Sequence, residues 1–358
     1  MRDIINLKLN LDYSKRILCV SDIHGGYDLL DKCLKRVNYN PEKDYLIILG
    51  DVINRGEHSL ESINYIIKLC KNKNVYMIKG NHEEDFYNRN DLQYDMIKTY
   101  VTKKTSLLYD LLENVYTDNM NEEDIFNYAY THYKYIFDFI NTLPDMIETE
   151  KYIFVHSAYF DENNVNTIVR TADYLKYNYK SKDKWIIVGH YPSANYPEMT
   201  NNVFNCNPII LNDRKICLID GGKGTKDFGQ VNLLMIENDK FKSIYEDWFK
   251  KIEVINDQEE SGDVSITYKD PYVRLIEEKG EFVLCEYHGK KVYLEKRLVY
   301  LDKNDEYNAR NSTNHFLKIK KGDIVSLIYQ GETVSQIKKD GIIGYAYNTN
   351  LKLLWGER

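Results

Sequence analysis

Gly50-Asp51-Val52-Ile53-Asn54-Arg55-Gly56 follows directly on the apolar run Tyr45-Leu46-Ile47-Ile48-Leu49. A run of that length closed by glycine reads as a buried strand, so Asp51 sits where the chain leaves a strand end for a loop. A carboxylate there needs a partner of opposite charge. Four other apolar runs end in the same way. Asp22 and His24 follow Ile17-Leu18-Cys19-Val20, Asn81-His82-Glu83 follow Val75-Tyr76-Met77-Ile78, His156 follows Tyr152-Ile153-Phe154-Val155, and His190 follows Trp185-Ile186-Ile187-Val188. A single His or Asp after a strand is ordinarily a polar turn residue. Five strand ends that bring such residues to one sheet edge make a metal site.

Around these runs the pattern of strand, polar loop and helix repeats. Residues two apart in an extended segment share a side, so Asp22 and His24 can grip one ion while Gly25 and Gly26 let the backbone pass close by. An amphipathic helix through Leu29, Leu30, Cys33, Leu34 and Val37 follows, and a second runs through Leu60, Ile63, Ile66, Ile67 and Cys70. This alternation predicts an α/β sheet with its polar residues at the carboxyl ends of strands. Residues 84 to 148 read as a helical insertion between two ligand loops, placed to wall the site or to serve as scaffold. Strands expected at 151–155, 185–188, 215–219, 230–236 and 241–246 complete a first domain over 1–250.

The polar stretch 251–263 reads as a linker. Beyond it short strands dominate, and the sequence echoes itself. Gly280-Glu281-Phe282-Val283, Gly289 and Tyr293 align with Gly331-Glu332-Thr333-Val334, Gly341 and Tyr345 at an offset of 51 to 52 residues. Two small β-domains in tandem are expected, over 264–306 and 307–358.

Composition narrows the function classes. A chain of 358 residues with a formal charge of −7 is long enough for two or three domains and lacks the bulk positive charge of a nucleic-acid-binding surface. No apolar stretch approaches the ~18 residues of a membrane span, and the amino-terminal residues do not resemble a signal peptide. The expectation is a cytoplasmic protein with no membrane and no nucleic-acid partner. The six cysteines lack metal or disulfide spacing and suit reduced, packed thiols.

Taken in order, Asp22-Ile23-His24-Gly25, Gly50-Asp51 with Arg55-Gly56, Gly80-Asn81-His82-Glu83, His156 and Gly189-His190 resemble the calcineurin-like metallophosphoesterases. More narrowly they resemble the phosphoprotein phosphatase branch, which holds serine/threonine phosphatases and symmetrical dinucleoside tetraphosphatases. The resemblance covers roughly residues 16 to 245 and implies a metallophosphatase-type β-sandwich flanked by helices. It implies two divalent metal ions, Mn²⁺ first with Fe or Zn²⁺ as alternatives. Asp22 and His24 would hold one ion, Asp51 would bridge both, and Asn81, His156 and His190 would hold the second. A bridging carboxylate keeps two dications about 4 Å apart, where they turn water into hydroxide that attacks phosphorus in line. By the same resemblance Arg55 is the phosphate clamp, His82 the acid that protonates the leaving oxygen, and Arg170 a second phosphate-binding arginine. Glu83 and Glu84 are expected to support the site from behind or to face solvent.

Two departures from the pattern matter. Asn54 stands where the branch usually has the Asp that pairs with the catalytic histidine. An amide can orient the ring but stabilises its charged form less well, so His82 is expected to be a weakened acid that favours good leaving groups. Tyr191-Pro192 after His190 departs from the Gly-His-x-His of many nucleases and diesterases, which favours the phosphatase branch.

The carboxyl-terminal part resembles the bacterial Src-homology-three-like barrels, most clearly over 320–345. That resemblance implies small all-β barrels that take a peptide or a cell-wall fragment, or that only pack on the enzyme. The leading expectation is thus a phosphoric monoester hydrolase of the serine/threonine phosphatase kind, acting on a phosphoprotein or a nucleotide. A symmetrical dinucleoside polyphosphate hydrolase is the alternative within the enzyme class. A metal-binding scaffold that works through its barrels is the alternative outside it.

Overall fold

The computed structural model describes residues 2–87 and 94–353. The chain divides into two compact units. The first holds Met1–Ser193, Asn207–Thr225 and Gly229–Asp247, and the second holds Ala194–Cys206, Lys226–Phe228 and Trp248–Arg358.

In the first unit the strands are β1 (Asn6–Lys8), β2 (Arg16–Val20), β3 (Asp44–Ile48), β4 (Val75–Met77), β5 (Met146–Glu148), β6 (Tyr152–Val155), β7 (Trp185–Val188), β8 (Ile209–Leu211), β9 (Ile216–Leu218), β10 (Val231–Glu237) and β11 (Lys240–Glu246). They form a six-stranded sheet of order β1-β5-β6-β7-β9-β8 and a five-stranded sheet of order β11-β10-β2-β3-β4. Strands β2, β3 and β4 run parallel, as do β6, β7 and β9, so within each set the carboxyl ends open toward one edge.

Side-chain alternation explains why β2 and β3 read as continuous apolar runs. Ile17, Cys19, Tyr45 and Ile47 pack with Ile147, Phe154, Ile187 and Cys217 in a core between the two sheets. Leu18, Val20, Leu46 and Ile48 point the other way and pack under helices α1 (Tyr27–Arg36) and α2 (Ser59–Leu69). A strand buried on both faces has no polar side to alternate with.

Helix α3 (Asn81–Tyr87) begins inside the Asn81-His82-Glu83 motif itself, and α4 (Tyr94–Thr102), α5 (Leu107–Leu112) and α6 (Glu122–Thr142) follow. Their apolar faces, including Leu107, Leu111, Ile136 and Ile140, join the core beneath α1 and α2. The expected insertion is therefore part of the core, and it ends before β5, which lies in the six-stranded sheet. A short α7 (Val165–Arg170) follows β6. Among the described residues no helix is long and apolar enough to cross a membrane.

The second unit is a set of small sheets. Strands β12 (Lys250–Glu253), β13 (Ser265–Ile266), β14 (Arg274–Lys279), β15 (Phe282–Tyr287), β16 (Lys290–Glu295), β17 (Tyr300–Leu301), β18 (Tyr307–Asn308), β19 (Ser312–Thr313), β20 (Ile324–Gln330), β21 (Val334–Lys339) and β22 (Ile342–Tyr347) follow in order. Two meanders, β14-β15-β16 and β20-β21-β22, are each followed by one 3₁₀ turn, at Lys296–Leu298 and Asn348–Asn350.

Three expectations about this part need correction. Residues 251–263 are not a free linker, because β12 pairs with β20 and the buried Gln258 donates to the carbonyls of Leu317 and Tyr345. Residues 307–313 belong with the first meander's surroundings, since β18 pairs with β17 and β19 with β13. Residues 194–206, expected within the first domain, belong to the second unit. Phe204, Cys206 and Phe228 pack with Ile343, while the Cys206 N–H donates to Gly341 and the Ile343 N–H to Phe204, each at 2.9 Å.

Candidate metal centre

The loops after β2 and β3 are fastened together by main-chain hydrogen bonds. The N–H groups of Asp22, His24 and Gly25 donate to the carbonyls of Gly50, Asp51 and Val52 at 2.9 to 3.1 Å. Glu83 clasps the third loop to the second, its carboxylate accepting from the N–H groups of Gly80, Asp51 and Val52 at 2.8 to 2.9 Å. Such close approach leaves no room for a side chain at two glycines. A Cβ on Gly80 would lie 2.2 Å from Asp51 Oδ1, and one on Gly189 would lie 2.4 Å from Asp22 Oδ2. Asp22, His24, Asp51, Asn54, Arg55 and His190 all hold a positive φ, between 40° and 66°. Side chains rarely adopt that conformation, and its cost, up to about 1–3 kcal/mol at each position, is borne where the surrounding structure dictates it.

The predicted residues converge. Asp51 Oδ2 lies 3.8 Å from His24 Nε2 and 3.3 Å from His156 Nε2, and Oδ1 accepts from the His82 N–H. His156 Nε2 is also 3.2 Å from Asn81 Oδ1 and 3.2 Å from His190 Nδ1. Asp22 Oδ1 stands 3.9 Å from His24 Nε2, while its Oδ2 accepts from the Ser21 hydroxyl and the His190 N–H. Two overlapping sets of three donors result, His24 with Asp51 and His82, and Asp51 with His156 and His190.

Hydrogen bonding fixes how the rings face. His156 Nδ1 lies 2.7 Å from the Leu49 carbonyl, and His24 Nδ1 lies 3.0 Å from the carbonyls of Ile53 and Asn54. A carbonyl can only accept, so both rings carry hydrogen on Nδ1 and turn the Nε2 lone pair inward toward carboxylate oxygen. Acceptors facing acceptors in a buried pocket call for positive charge between them, as a proton or as a metal ion.

The titration behaviour expresses the same demand. Burial pushes Asp22 up to about 6, against the pull of His156, and pushes Glu83 up to about 7 with help from Asp51. Burial drives His24 down to about 3 and His190 to about 3, in the latter with repulsion from His156. Asp51 and His156 behave as an ion pair. Burial opposes both charges, yet their mutual attraction holds Asp51 well below the carboxylate range and lifts His156 to about 10. Mixed oxygen and imidazole donors of this kind fit a first-row divalent ion.

The remaining predicted residues stand as follows. His82 is buried, its Nδ1 is 3.2 Å from Asn54 Nδ2, and its Nε2 has no hydrogen-bond partner. Burial holds the His82 ring below its usual range, against attraction by Asp51. Arg55 is exposed at the rim, with no hydrogen bond or ion pair among the described residues, and its charge acts on His24, His82 and His190. Arg170 is not free to the same extent. It forms a two-point ion pair with Asp85, one turn beyond His82 on α3, at 2.5 and 3.2 Å. Neither Glu83 nor Glu84 faces solvent; both are buried, and Glu84 pairs with Arg2.

Sequence reasoning passed over Asp220. It follows β9, is fully buried, accepts from the Gly222 N–H at 2.7 Å and keeps Oδ2 without a partner. Burial, reinforced by Asp22, raises its pKa well above the carboxylate range. The rule that found the other residues, a polar residue after an apolar run, applies equally to Ile216-Cys217-Leu218-Ile219-Asp220.

A family model described as calcineurin-like phosphoesterase matches residues 15–222. The chain is 47% identical over 64 residues to a symmetrical bis(5'-nucleosyl)-tetraphosphatase of Actinobacillus pleuropneumoniae, covering 18% of this chain and 23% of that protein. It is 26% identical over 161 residues to the protein of the same description from Chromobacterium violaceum, covering 45% of this chain and 50% of that protein. The chain thus spans half or less of the length of these relatives. Among solved structures, a protein serine/threonine phosphatase from Saccharomyces cerevisiae aligns with a TM-score of 0.42 at 14% identity, over 69% of this chain and 84% of that one. A cold-active protein-tyrosine phosphatase of a Shewanella species aligns with a TM-score of 0.41 at 16% identity, over 69% and 82%.

Proposed function

The chain belongs to the calcineurin-like phosphoesterase family, and from that premise we propose that it hydrolyses phosphate esters with two divalent metal ions held by Asp22, His24, Asp51, Asn81, His156 and His190. The observation that carries the reading is the position of Asp51 Oδ2, shared between the inward lone pairs of His24 and His156. When bound, such ions would supply Lewis acidity toward phosphoryl oxygens and activate water for attack on phosphorus.

The chain's own residues have separable parts. The guanidinium of Arg55, exposed and uncommitted among the described residues, suits two-point binding of phosphoryl oxygens. His82 Nε2, buried and without a partner, suits contact with the leaving oxygen. Glu83 holds the loops of Asp51 and Asn81 together so that their donors stay aligned. Arg170, paired with Asp85, would reach a phosphate only on release from that carboxylate.

Two substrate classes are in competition. A phosphomonoester, as in a serine/threonine phosphatase, uses every group just described. A symmetrical dinucleoside polyphosphate is favoured by the description of the sequence relatives. The deciding experiment sets inorganic phosphate release from a phosphopeptide against symmetrical cleavage of diadenosine tetraphosphate, with Mn²⁺, Fe²⁺ or Zn²⁺ added in turn and Asp51→Asn as control. Turnover that is metal-dependent and lost in Asp51→Asn supports the reading. A broad panel of phosphate compounds left intact with every metal would overturn it.

A further inference from the structure

We propose that the backbone amide of Leu107 is a positioning group that acts through Asn54 to fix His82 as a hydrogen-bond donor at Nε2. The enzyme is thereby restricted to substrates whose leaving oxygen departs without receiving a proton, phosphoanhydrides and aryl phosphates before alkyl phosphates. The substrate consequence rests on the phosphoesterase reading above; the hydrogen-bond arrangement does not.

The argument begins at the start of α5. Leu107 is its first residue, after the N-cap Ser106, so its N–H has no partner within the helix. That N–H donates to Asn54 Oδ1 at 2.9 Å in the buried interior. With Oδ1 committed, the amide nitrogen of Asn54 faces His82 Nδ1 at 3.2 Å. An amide NH₂ can only donate, so Nδ1 must offer its lone pair and the hydrogen of the neutral ring sits on Nε2. Flipping Asn54 would set its NH₂ against the Leu107 N–H, leaving two buried donors face to face.

A carboxylate at position 54 would behave in the opposite sense on the same skeleton. It would accept from Leu107 and from a hydrogen on His82 Nδ1 together, leaving Nε2 to carry a second, transferable hydrogen. Asn54 therefore does more than weaken the histidine; it reverses the direction of the hydrogen bond at Nδ1. In the resulting step the oxygen of water bonds to phosphorus and its proton passes to solvent. The bond from phosphorus to the leaving oxygen breaks with the electron pair on that oxygen. His82 Nε2–H donates a hydrogen bond to it and keeps its proton, because giving it up would leave an imidazolate.

The test combines long-range ¹H–¹⁵N NMR of His82 in the full chain with kinetics on an alkyl phosphate and on p-nitrophenyl phosphate. Leu107→Pro removes the N–H at a position that tolerates proline, after Ser106, whose extended backbone suits the residue before it. Leu107→Ala trims the side chain and keeps the N–H. Wild type and Leu107→Ala should show hydrogen on Nε2, Leu107→Pro a mixture of both ring forms, and Asn54→Asp hydrogen on Nδ1. In Asn54→Asp the kcat/KM ratio of alkyl to aryl phosphate should rise by roughly a hundredfold, the lower range for a working proton donor. Hydrogen on Nδ1 in the wild type, or equal gains on both substrates, overturns the proposal. Should no phosphate compound be hydrolysed, the phosphoesterase reading falls, and the NMR arm still decides the Leu107–Asn54–His82 arrangement by itself.

Discussion

Left-handed residues stand just after strands at hairpin tips, including Asn238-Asp239 between β10 and β11 of the first unit, and also at the candidate metal centre, where no hairpin turn calls for them. In the second unit they sit at hairpin tips. His288-Gly289 joins β15 to β16, Asp340-Gly341 joins β21 to β22, and all four residues have φ between 48° and 78°. Two-residue hairpin turns require that conformation, so the turn chemistry explains it locally. In the first unit Asp22, Asp51 and His190 are left-handed where no hairpin turn demands it. Their loops are buried, interlocked and aimed at one another. Local strain that turn geometry does not require is gathered at the candidate metal centre.

That contrast is sharpest if the carboxyl-terminal part of the second unit is removed. Ending the chain after Asp247 would strip Phe204, Cys206 and Phe228 of the partners that bury them. Each exposed phenylalanine forfeits roughly 1.5–3 kcal/mol, and a whole domain is stable by only about 5–15 kcal/mol. The truncated chain should therefore fail to give soluble, cooperatively unfolding protein, as judged by size-exclusion chromatography and circular dichroism. A well-folded fragment would show that residues 194–206 and 226–228 do not need the rest of the second unit.

The next largest effect should separate strain for function from strain for shape. Asp51→Asn removes the shared negative charge while keeping the side chain's outline. Loss of several kcal/mol of charge stabilisation lowers kcat on the order of a thousandfold. The near-ultraviolet circular dichroism should be retained, since the hairpins and cores are untouched. Residual activity within tenfold of wild type would mean Asp51 is not the shared ligand.

A matched glycine pair makes a finer cut. Gly80→Ala would drive a methyl group to 2.2 Å from Asp51 Oδ1, so activity should fall by about a hundredfold or more as the Asp51 carboxylate is displaced. Gly289→Ala meets nothing within 4 Å but holds φ at 74°, so it should cost about 1 kcal/mol of stability and leave the rate alone. Parallel kinetics and urea unfolding of the two variants check this, and equal effects on rate would erase the distinction.

These contrasts also show what the amino-acid order could disclose. Strands buried on both faces leave long apolar runs, so the runs before Asp22, Asp51, Asn81, His156 and His190 were readable, and with them the sandwich. Asp220 obeyed the same rule and was readable too. Other features depend on distance along the chain. Arg170 meets Asp85 across 85 residues, with no local signal in either segment. Leu107 contributes a main-chain N–H, which no side-chain pattern announces. The polar stretch 251–263 has the composition of a linker, yet Gln258 is buried because the second unit satisfies its amide with backbone carbonyls. Composition reports how much polarity a segment carries; only the fold determines whether that polarity finds a partner.

The smallest expected effect lies in the second unit and concerns His315. The ring is buried and its Nε2 donates to the Asn202 carbonyl at 2.9 Å. Burial holds its pKa below the ordinary 6.5, and the attraction of Asp263 and Glu260 does not restore it. The unfolded chain therefore binds a proton there more readily than the folded one. By linkage, the contribution of neutral His315 is fully present above its unfolded pKa and is lost as pH falls from about 6.5 toward the folded value. His24 and His190 are depressed in the same direction, so a slope in the wild type alone would not identify the group. The difference between chains does. His315→Gln can keep a donor for Asn202 but cannot titrate, so its melting temperature should fall less steeply between pH 7 and pH 5 than that of the wild type. Identical slopes would place the pH dependence in other groups, such as the buried histidines and the raised carboxylates of Asp22 and Glu83, and the second unit would be a region whose stability does not sense acid through this ring.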